Sequence, residues 1–302
     1  MKRLLIIGGA TGSGKSGVAV QVAHLLGGEV VSADSMQIYR GLNVGTAKIT
    51  KEETEGIPHY MIDVCSPKDV FSVCDYKKHA IPIIEDIFSR GKVPVVCGGT
   101  GLYVHSLIYD MSYSGEYDEE LRRKLKAELD AFGKDHMFES LRSIDPRAAE
   151  KLHVNDEKRV LRAIEKAMTG GREENDFEKP LYDHKIYLMT RDRGVLYERI
   201  NARVDQMFRD GLKKEISELI ASGVDFSDRC MQAIAYKEWK EFFSGQITEE
   251  DVRELIKKRT RNYAKRQITW FKQYKEARLI EADGKSAQTI AEEIVCDFRK
   301  KD

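Results

Sequence analysis

Short apolar runs and amphipathic patterns alternate along the first hundred residues. Residues 4–7, 30–32, 61–64 and 93–97 are compact apolar runs, several rich in β-branched side chains, while 18–26 and 81–88 read as helices. Continuous apolar strands separated by helices predict a parallel sheet covered on both faces. From about residue 112 the pattern changes to charged helical segments at 118–132 and 156–168, with no strand-like run before 185–189. Thr169, Gly170, Gly171 and Arg172 end a helix, and the polar stretch to Pro180 reads as a loop. Further on, 195–219 and 248–276 are long helical patterns. The expected fold is α/β: a phosphate-loop type parallel sheet core flanked by helices, residues 1–111 and 183–302, with a helical insertion domain at 112–182.

Composition narrows the class. The 302 residues carry 50 Lys plus Arg and 50 Asp plus Glu, so the formal charge is zero, and 41% apolar residues suffice for a sizeable core. No run approaches the roughly 20 apolar residues that span a bilayer, and the first apolar run passes straight into glycines without a signal-peptide pattern. Cys65, Cys74, Cys97, Cys230 and Cys296 are odd in number and never at C-x-x-C spacing, which argues against a disulfide framework and a zinc site. A reducing cytoplasm is the expected location and a monomer the expected state. The seven histidines lack metal-ligand spacing.

The strongest chemical signal follows the first strand. Gly9, Ala10, Thr11, Gly12, Ser13, Gly14, Lys15 and Ser16 match G-x-x-x-x-G-K-S between a predicted strand and a predicted helix. In that context backbone N–H groups turn inward around an anion, Lys15 adds a point charge, and the Ser16 hydroxyl can ligate Mg²⁺. The motif alone leaves open whether the phosphate belongs to ATP, GTP or another diphosphate ester. Asp34 follows the second apolar run, where a parallel sheet would set its carboxylate beside the loop. It reads either as a general base, or as a helix N-cap or an acid behind Mg²⁺. A second Gly-rich turn, Gly98, Gly99, Thr100 and Gly101, follows the run at 93–97, and that strand lacks the terminal Asp usual in phosphate-loop ATPases.

A neutral chain also holds a strongly basic segment. Residues 253–278 contain ten Lys and Arg against Glu254 and Glu276. Lys258, Arg261, Lys265, Lys272 and Lys275 recur on one helical face, opposite a stripe of Tyr263, Trp270 and Tyr274 that reads as core. A solvated surface and a polyanion contact both fit the basic face.

Together these blocks make the chain resemble bacterial tRNA dimethylallyltransferases, also called tRNA isopentenyltransferases. The resemblance rests on Gly9 to Ser16, on Asp34-Ser35-Met36-Gln37-Ile38-Tyr39 with Gly45 to Lys48, and on Pro58-His59 with Ile62-Asp63. It continues through Gly98 to Tyr103, Asn155-Asp156 with Arg159 and Arg162, Arg203 with Met207, Gln232-Ala233-Ile234 with Tyr236, and Ala264 to Gln267 with Thr269 to Phe271. Two positions depart from it: Ala10 stands where a proline is usual, and Ala235 where a glycine is usual, so residue 235 is expected not to need a positive φ.

The resemblance implies transfer of a dimethylallyl group from dimethylallyl diphosphate to the exocyclic amine of the adenosine 3′ of a tRNA anticodon. It implies Asp34 as base, Thr11 near the reacting centre, Arg203 on the diphosphate, and Mg²⁺ held by Ser16. For tRNA it implies Asp34, Ser35, Met36, Gln37 and Thr100, with Arg122, Lys158, Arg159, Val160, Leu161 and Arg162 from the insertion. A phosphate-loop small-molecule kinase, an adenylate isopentenyltransferase and a non-catalytic RNA-binding protein are the other readings.

Overall fold

The computed structural model describes residues 2–111, 119–169 and 175–300. It divides into two units, Met1–Ile108 with Pro180–Asp302, and Tyr109–Lys179. In the first, six parallel strands are ordered β3-β2-β4-β1-β7-β8: β1 is Arg3–Gly9, β2 Glu29–Ser32, β3 His59–Tyr60, β4 Pro94–Gly98, β7 Asp183–Thr190 and β8 Arg278–Glu281. Because every strand runs the same way, the loops after β1, β2, β4 and β7 emerge at one edge, where parallel sheets bind ligands.

Strand alternation explains the two-sided core. Leu5, Ile7, Val30, Val95, Tyr187 and Ile280 pack against helix α1 (Lys15–Leu26) and the C-terminal helix α11 (Ala287–Phe298). Leu4, Ile6, Val31 and Val96 are fully buried as well. The helices packing on β1, β2 and β4 include α2 (Val73–Ser89), α3 (Gly101–Ile108) and α10 (Glu249–Phe271). Capping boxes at Ser72 and Asp75, and at Thr248 and Asp251, start α2 and α10. Helices α7 (Arg193–Arg209), α8 (Leu212–Ala221) and α9 (Trp239–Phe243) complete this unit, α7 and α9 lying against α10.

The second unit holds α4 (Glu119–Ile144), α5 (Pro146–Ala149) and α6 (Glu157–Met168) around Leu125, Met137, Leu141, Ala149, Val160 and Ile164. Gly133, at φ 81° and ψ 173°, kinks α4. This unit is not purely helical: β5 (Tyr109–Met111) pairs with β6 (Asn175–Pro180). The strand covers part of the stretch read from sequence as a loop, because Asn-Asp-Phe-Glu-Lys-Pro lacks an apolar run or clean alternation. The first residues of the expected insertion, 112–118, and the glycine stop at 170–172 lie outside the described residues.

Other expectations also shift. The run at 61–64 is not a strand; pairing stops at Tyr60, and Met61 (φ 61°) and Asp63 (φ 55°) turn the chain away. Gly211, at φ 92°, splits the helical pattern at 195–219, and α10 ends at Phe271 rather than near 276. Among the described residues no helix is long and apolar enough to cross a membrane.

Ala235 corrects the expectation that its position tolerates an ordinary backbone. Its φ is 79°, and its N–H donates to Oε2 of buried Glu238 at 2.9 Å. A left-handed alanine costs about 1–2 kcal/mol, and glycine returns part of that gain through greater unfolded-chain entropy. Ala235→Gly is therefore expected to raise stability by about 0.5–1 kcal/mol. A higher urea midpoint at unchanged slope is the readout; a lower midpoint would contradict a strained alanine.

Candidate active site

The loop from Ala10 to Gly14 joins β1 to α1. Gly12 (φ 80°) and Gly14 (φ 94°) hold left-handed backbone that turns the chain back, and Gly14 caps α1 without a side-chain hydrogen bond. The first N–H groups of α1 are thereby left to bind an anion. Lys15 folds over the loop, its Nζ donating to the Ala10 carbonyl at 3.2 Å. Burial and Arg203 draw its pKa down, while Cys97 and Asp34 push it up, with a net lowering. Ala10 itself is buried among Leu196, Ile200 and Ala264, so its methyl serves packing.

Asp34 sits two residues beyond the end of β2. Its Oδ1 accepts from the N–H groups of Met36 at 2.9 Å and Gln37 at 3.4 Å, while Oδ2 has no hydrogen bond among the described residues. The carboxylate thus shapes its own turn with one oxygen and offers the other. No regular helix starts here, so the N-cap alternative does not apply. Asp34 lies in the electrostatic reach of Lys15, Arg203 and Tyr263. Ser35 N–H donates to Thr100 Oγ1 at 3.0 Å, and Thr100 N–H to the Ala33 carbonyl at 3.0 Å, tying the loops after β2 and β4 together. Gln37 Nε2 reaches the carbonyls of Thr46 and Ala47 at 3.3 and 3.4 Å.

Arg203, on α7, joins the same group. Its two terminal nitrogens donate to Thr11 Oγ1 at 3.4 Å and to the Ala47 carbonyl at 3.2 Å. Burial lowers its pKa, Asp34 opposing. Cys97, at the end of β4, is held as a thiol by burial, its pKa pushed up to about 11, so it supplies no nucleophile. His59 is shifted toward the neutral form by burial, and its Nδ1 contacts the Ile57 carbonyl.

Several contributors were not singled out from sequence. Gln267, 5% exposed on α10, accepts from Thr11 N–H at 2.8 Å and donates to the Gly99 carbonyl at 2.9 Å, so one amide joins the two Gly-rich turns. The second turn must be glycine to admit α10: a Cβ on Gly99 would lie 2.1 Å from Gln267 Nε2, and one on Gly101 1.9 Å from the Trp270 ring. Tyr263, expected as core, is half-buried beside the site, and burial plus the Asp34 charge raise its hydroxyl to about 12. Tyr274 is buried as expected, whereas Trp270 is 37% exposed. Glu215 on α8 accepts from the N–H groups of Asn43, Val44 and Gly45 and from the Tyr236 hydroxyl at 2.7–3.1 Å. That carboxylate fixes the loop leading to the Ala47 carbonyl on which Arg203 and Gln37 rest. Only the partner residues in three dimensions reveal these roles.

The basic segment is partly spent on structure. Lys257 pairs with Asp205, Arg259 with buried Glu238, and Arg278 with Glu293 and Asp297. Lys258, Lys265, Lys272 and Lys275 remain exposed, and Arg261 donates to Asn201. In the second unit Arg122 and Arg162 both bind Oε2 of buried Glu165, at 3.1 and 2.8 Å, Arg159 pairs with Asp156, and Lys158 is exposed. Val160 departs from its expected role: its side chain is 1% exposed in that unit's core, and Leu161 packs against the same cluster. Among the described residues no three His, Cys, Asp or Glu side chains group to hold a metal. The Ser16 hydroxyl is exposed and makes no hydrogen bond among the described residues.

Comparison with known proteins shows the family of the chain. The IPP transferase family model matches residues 37–274. A tRNA dimethylallyltransferase of Thermoanaerobacter sp. (strain X514) is 47% identical over 281 residues, covering 90% of this chain and 89% of its own. One from Acetivibrio thermocellus is 43% identical, covering 94% and 93%. The crystal structure of a tRNA isopentenylpyrophosphate transferase from Bacillus halodurans superposes with a TM-score of 0.75 at 38% identity, covering 99% of this chain and 96% of the other. A eukaryotic dimethylallyltransferase caught acting on tRNA gives 0.81 at 29% identity, covering 94% and 75%.

Proposed function

The chain belongs to the IPP transferase family, and from that membership and the site geometry we infer that it is a tRNA dimethylallyltransferase, moving a dimethylallyl group from dimethylallyl diphosphate to the exocyclic amine of the adenosine 3′ of the anticodon. The observation that carries the chemistry is Asp34 Oδ2, without a hydrogen-bond partner among the described residues and within the electrostatic reach of Lys15 and Arg203.

Bond cleavage at the allylic carbon releases diphosphate and needs its growing charge stabilised. That task is assigned to the loop N–H groups of Gly12 and Gly14 to Ser16, to Lys15 and to Arg203, with Ser13 closing the turn onto the Ala10 carbonyl and Thr11 held between Arg203 and Gln267. The adenine amine is a weak nucleophile because its lone pair enters the ring. A carboxylate taking its proton as the new C–N bond forms contributes about 10²–10⁴-fold, and Asp34 supplies it. The five-carbon tail gains only about 3–4 kcal/mol from burial, so donor affinity resides mostly in the diphosphate.

Mg²⁺ fits a site with one hydroxyl and no carboxylate cluster, because this ion is held chiefly by substrate phosphates and waters. Ser16 would ligate it, and the ion would neutralise charge on the departing diphosphate. Ser35, Met36, Gln37 and Thr100 are proposed to receive the extruded adenosine. Arg122, Lys158, Arg159 and Arg162 are proposed to take phosphates of the anticodon stem. Loop, base and arginine all come from one chain, so a monomer suffices.

The test is transfer of labelled dimethylallyl from its diphosphate to unmodified tRNA, with AMP as a second acceptor and ATP hydrolysis as a control. Label is expected on tRNA only where an adenosine follows the anticodon, and a Mg²⁺ chelator is expected to suppress it. Label on AMP alone would make the chain an adenylate isopentenyltransferase, and ATP turnover without transfer a kinase.

A further inference from the structure

Three arginines meet three successive residues of the phosphate loop. Arg203 donates to Thr11 Oγ1, Arg199 donates through Nε to the Gly12 carbonyl at 2.9 Å, and Arg191 donates through Nε to the Ser13 carbonyl at 2.9 Å. The last two contacts differ in kind from the first. A loop that aims its N–H groups at an anion has its carbonyls pointing away, and these are the oxygens that Arg199 and Arg191 hold. Fixing a carbonyl fixes the peptide plane, and polarising it strengthens the N–H on the other side of that plane. For Gly12 and Ser13 those are the N–H groups of Ser13, which closes the loop's turn onto the Ala10 carbonyl at 3.2 Å, and of Gly14, so Arg199 steadies the turn and Arg191 the donor beside it.

The two arginines are not electrostatically equivalent. Arg191 is bound to Asp283 at 2.8 Å and to the Ala282 carbonyl at 2.9 Å, so its charge is compensated. Arg199, on the exposed side of α7, has no acidic hydrogen-bond partner among the described residues, and its terminal nitrogens make no hydrogen bond there. Burial and the neighbouring Arg191 lower its pKa, with Asp283 opposing. Both guanidinium groups border the uncapped start of α1: a Cβ on Gly14 would stand 3.4 Å from Arg191 Nη2 and 3.8 Å from Arg199 Nη2. Arg199 precedes Arg203 by four residues, so one face of α7 reaches the loop at two points.

We propose that Arg199 is a positioning residue for the diphosphate, acting through the Gly12 carbonyl to orient the loop and leaving its terminal nitrogens at the anion site. The inference rests on the loop binding the donor's diphosphate. Arg199 is exposed, so water solvates its charge until an anion arrives at the start of α1. Here the missing counter-charge is supplied by the ligand.

The experiment measures binding of inorganic pyrophosphate to the full chain, without tRNA, for the parent, Arg199→Met, Arg199→Lys and Lys15→Ala. Thermal midpoint and tRNA affinity are followed alongside. Arg199→Met is expected to weaken pyrophosphate about tenfold, the scale of one charge-assisted hydrogen bond, with tRNA affinity unchanged. Arg199→Lys, which restores charge and a donor, is expected to recover part of that loss, and the donor's KM to rise more than kcat falls. Unchanged pyrophosphate affinity in Arg199→Met while Lys15→Ala weakens it would overturn the proposal and leave the loop assignment standing. Equal losses in the Met and Lys variants accompanied by a lower midpoint would reduce Arg199 to a structural role and also overturn it. Unchanged affinity in Lys15→Ala would instead overturn the loop assignment itself.

Discussion

Asp34→Asn is expected to slow single-turnover allyl transfer at least about a hundredfold while leaving tRNA bound. Asparagine is the informative replacement because its amide oxygen still accepts from Met36 N–H, so the turn that Asp34 shapes survives. What disappears is a negative acceptor at Oδ2 able to take a proton from the adenine amine. The same change removes a carboxylate from the neighbourhood of Lys15 and Arg203. Pyrophosphate should therefore bind at least as tightly, since one negative charge no longer opposes an anion. Slower chemistry with equal or tighter diphosphate binding separates a base from a general disturbance of the site. A parent-like transfer rate in Asp34→Asn would remove Asp34 as base, and weaker pyrophosphate binding would show that the loop had been disturbed. Asp34→Ala, which also loses the turn, is expected to impair tRNA binding in addition.

The residues legible from sequence are those whose role is local. The phosphate loop announces itself because strand, glycines, lysine and helix start follow one another between Arg3 and Ser16, and Asp34 and Gly98 to Gly101 because each follows an apolar strand directly. Gln267 and Glu215 lie far along the chain from the loops they hold, and nothing in their flanking residues shows the partner. Gln267 is separated from Thr11 by 256 positions, and Glu215 from Val44 by 171. The basic helix was legible as charge but not as geometry: opposing acids on α7 and α9's approach consume part of it. In the second unit β6 is a polar strand without apolar rhythm, and Val160 lies on a helix face that adjoins basic residues and turns inward, so neither is legible in the sequence. Ala235 escaped for a different reason. Its left-handed backbone is imposed by the Glu238 contact and the surrounding packing, so residue type pointed the wrong way.

Lys15→Ala is expected to reduce kcat/KM for the donor by about 10²–10³-fold, as removal of one preorganised charge at a developing anion does elsewhere. The structure gives the physical reason. Lys15 is kept partly out of water, and among the described residues the Ala10 carbonyl is its one hydrogen-bond partner, so its ammonium is under-solvated until an anion arrives. A cation waiting in that condition loses little hydration on binding, and little reorganisation is left for the bond-breaking step. The lowered pKa also sets a sign for pH dependence. The charged form prevails below the pKa, so donor affinity should fall as pH rises through a value under the ordinary lysine 10.5. Bound diphosphate favours the ammonium, so the alkaline limb of kcat should lie at higher pH than that of kcat/KM. In Lys15→Ala this limb of kcat/KM should be absent. Retention of both the limb and the parent rate would place the titrating charge on another group and free Lys15 from the diphosphate step.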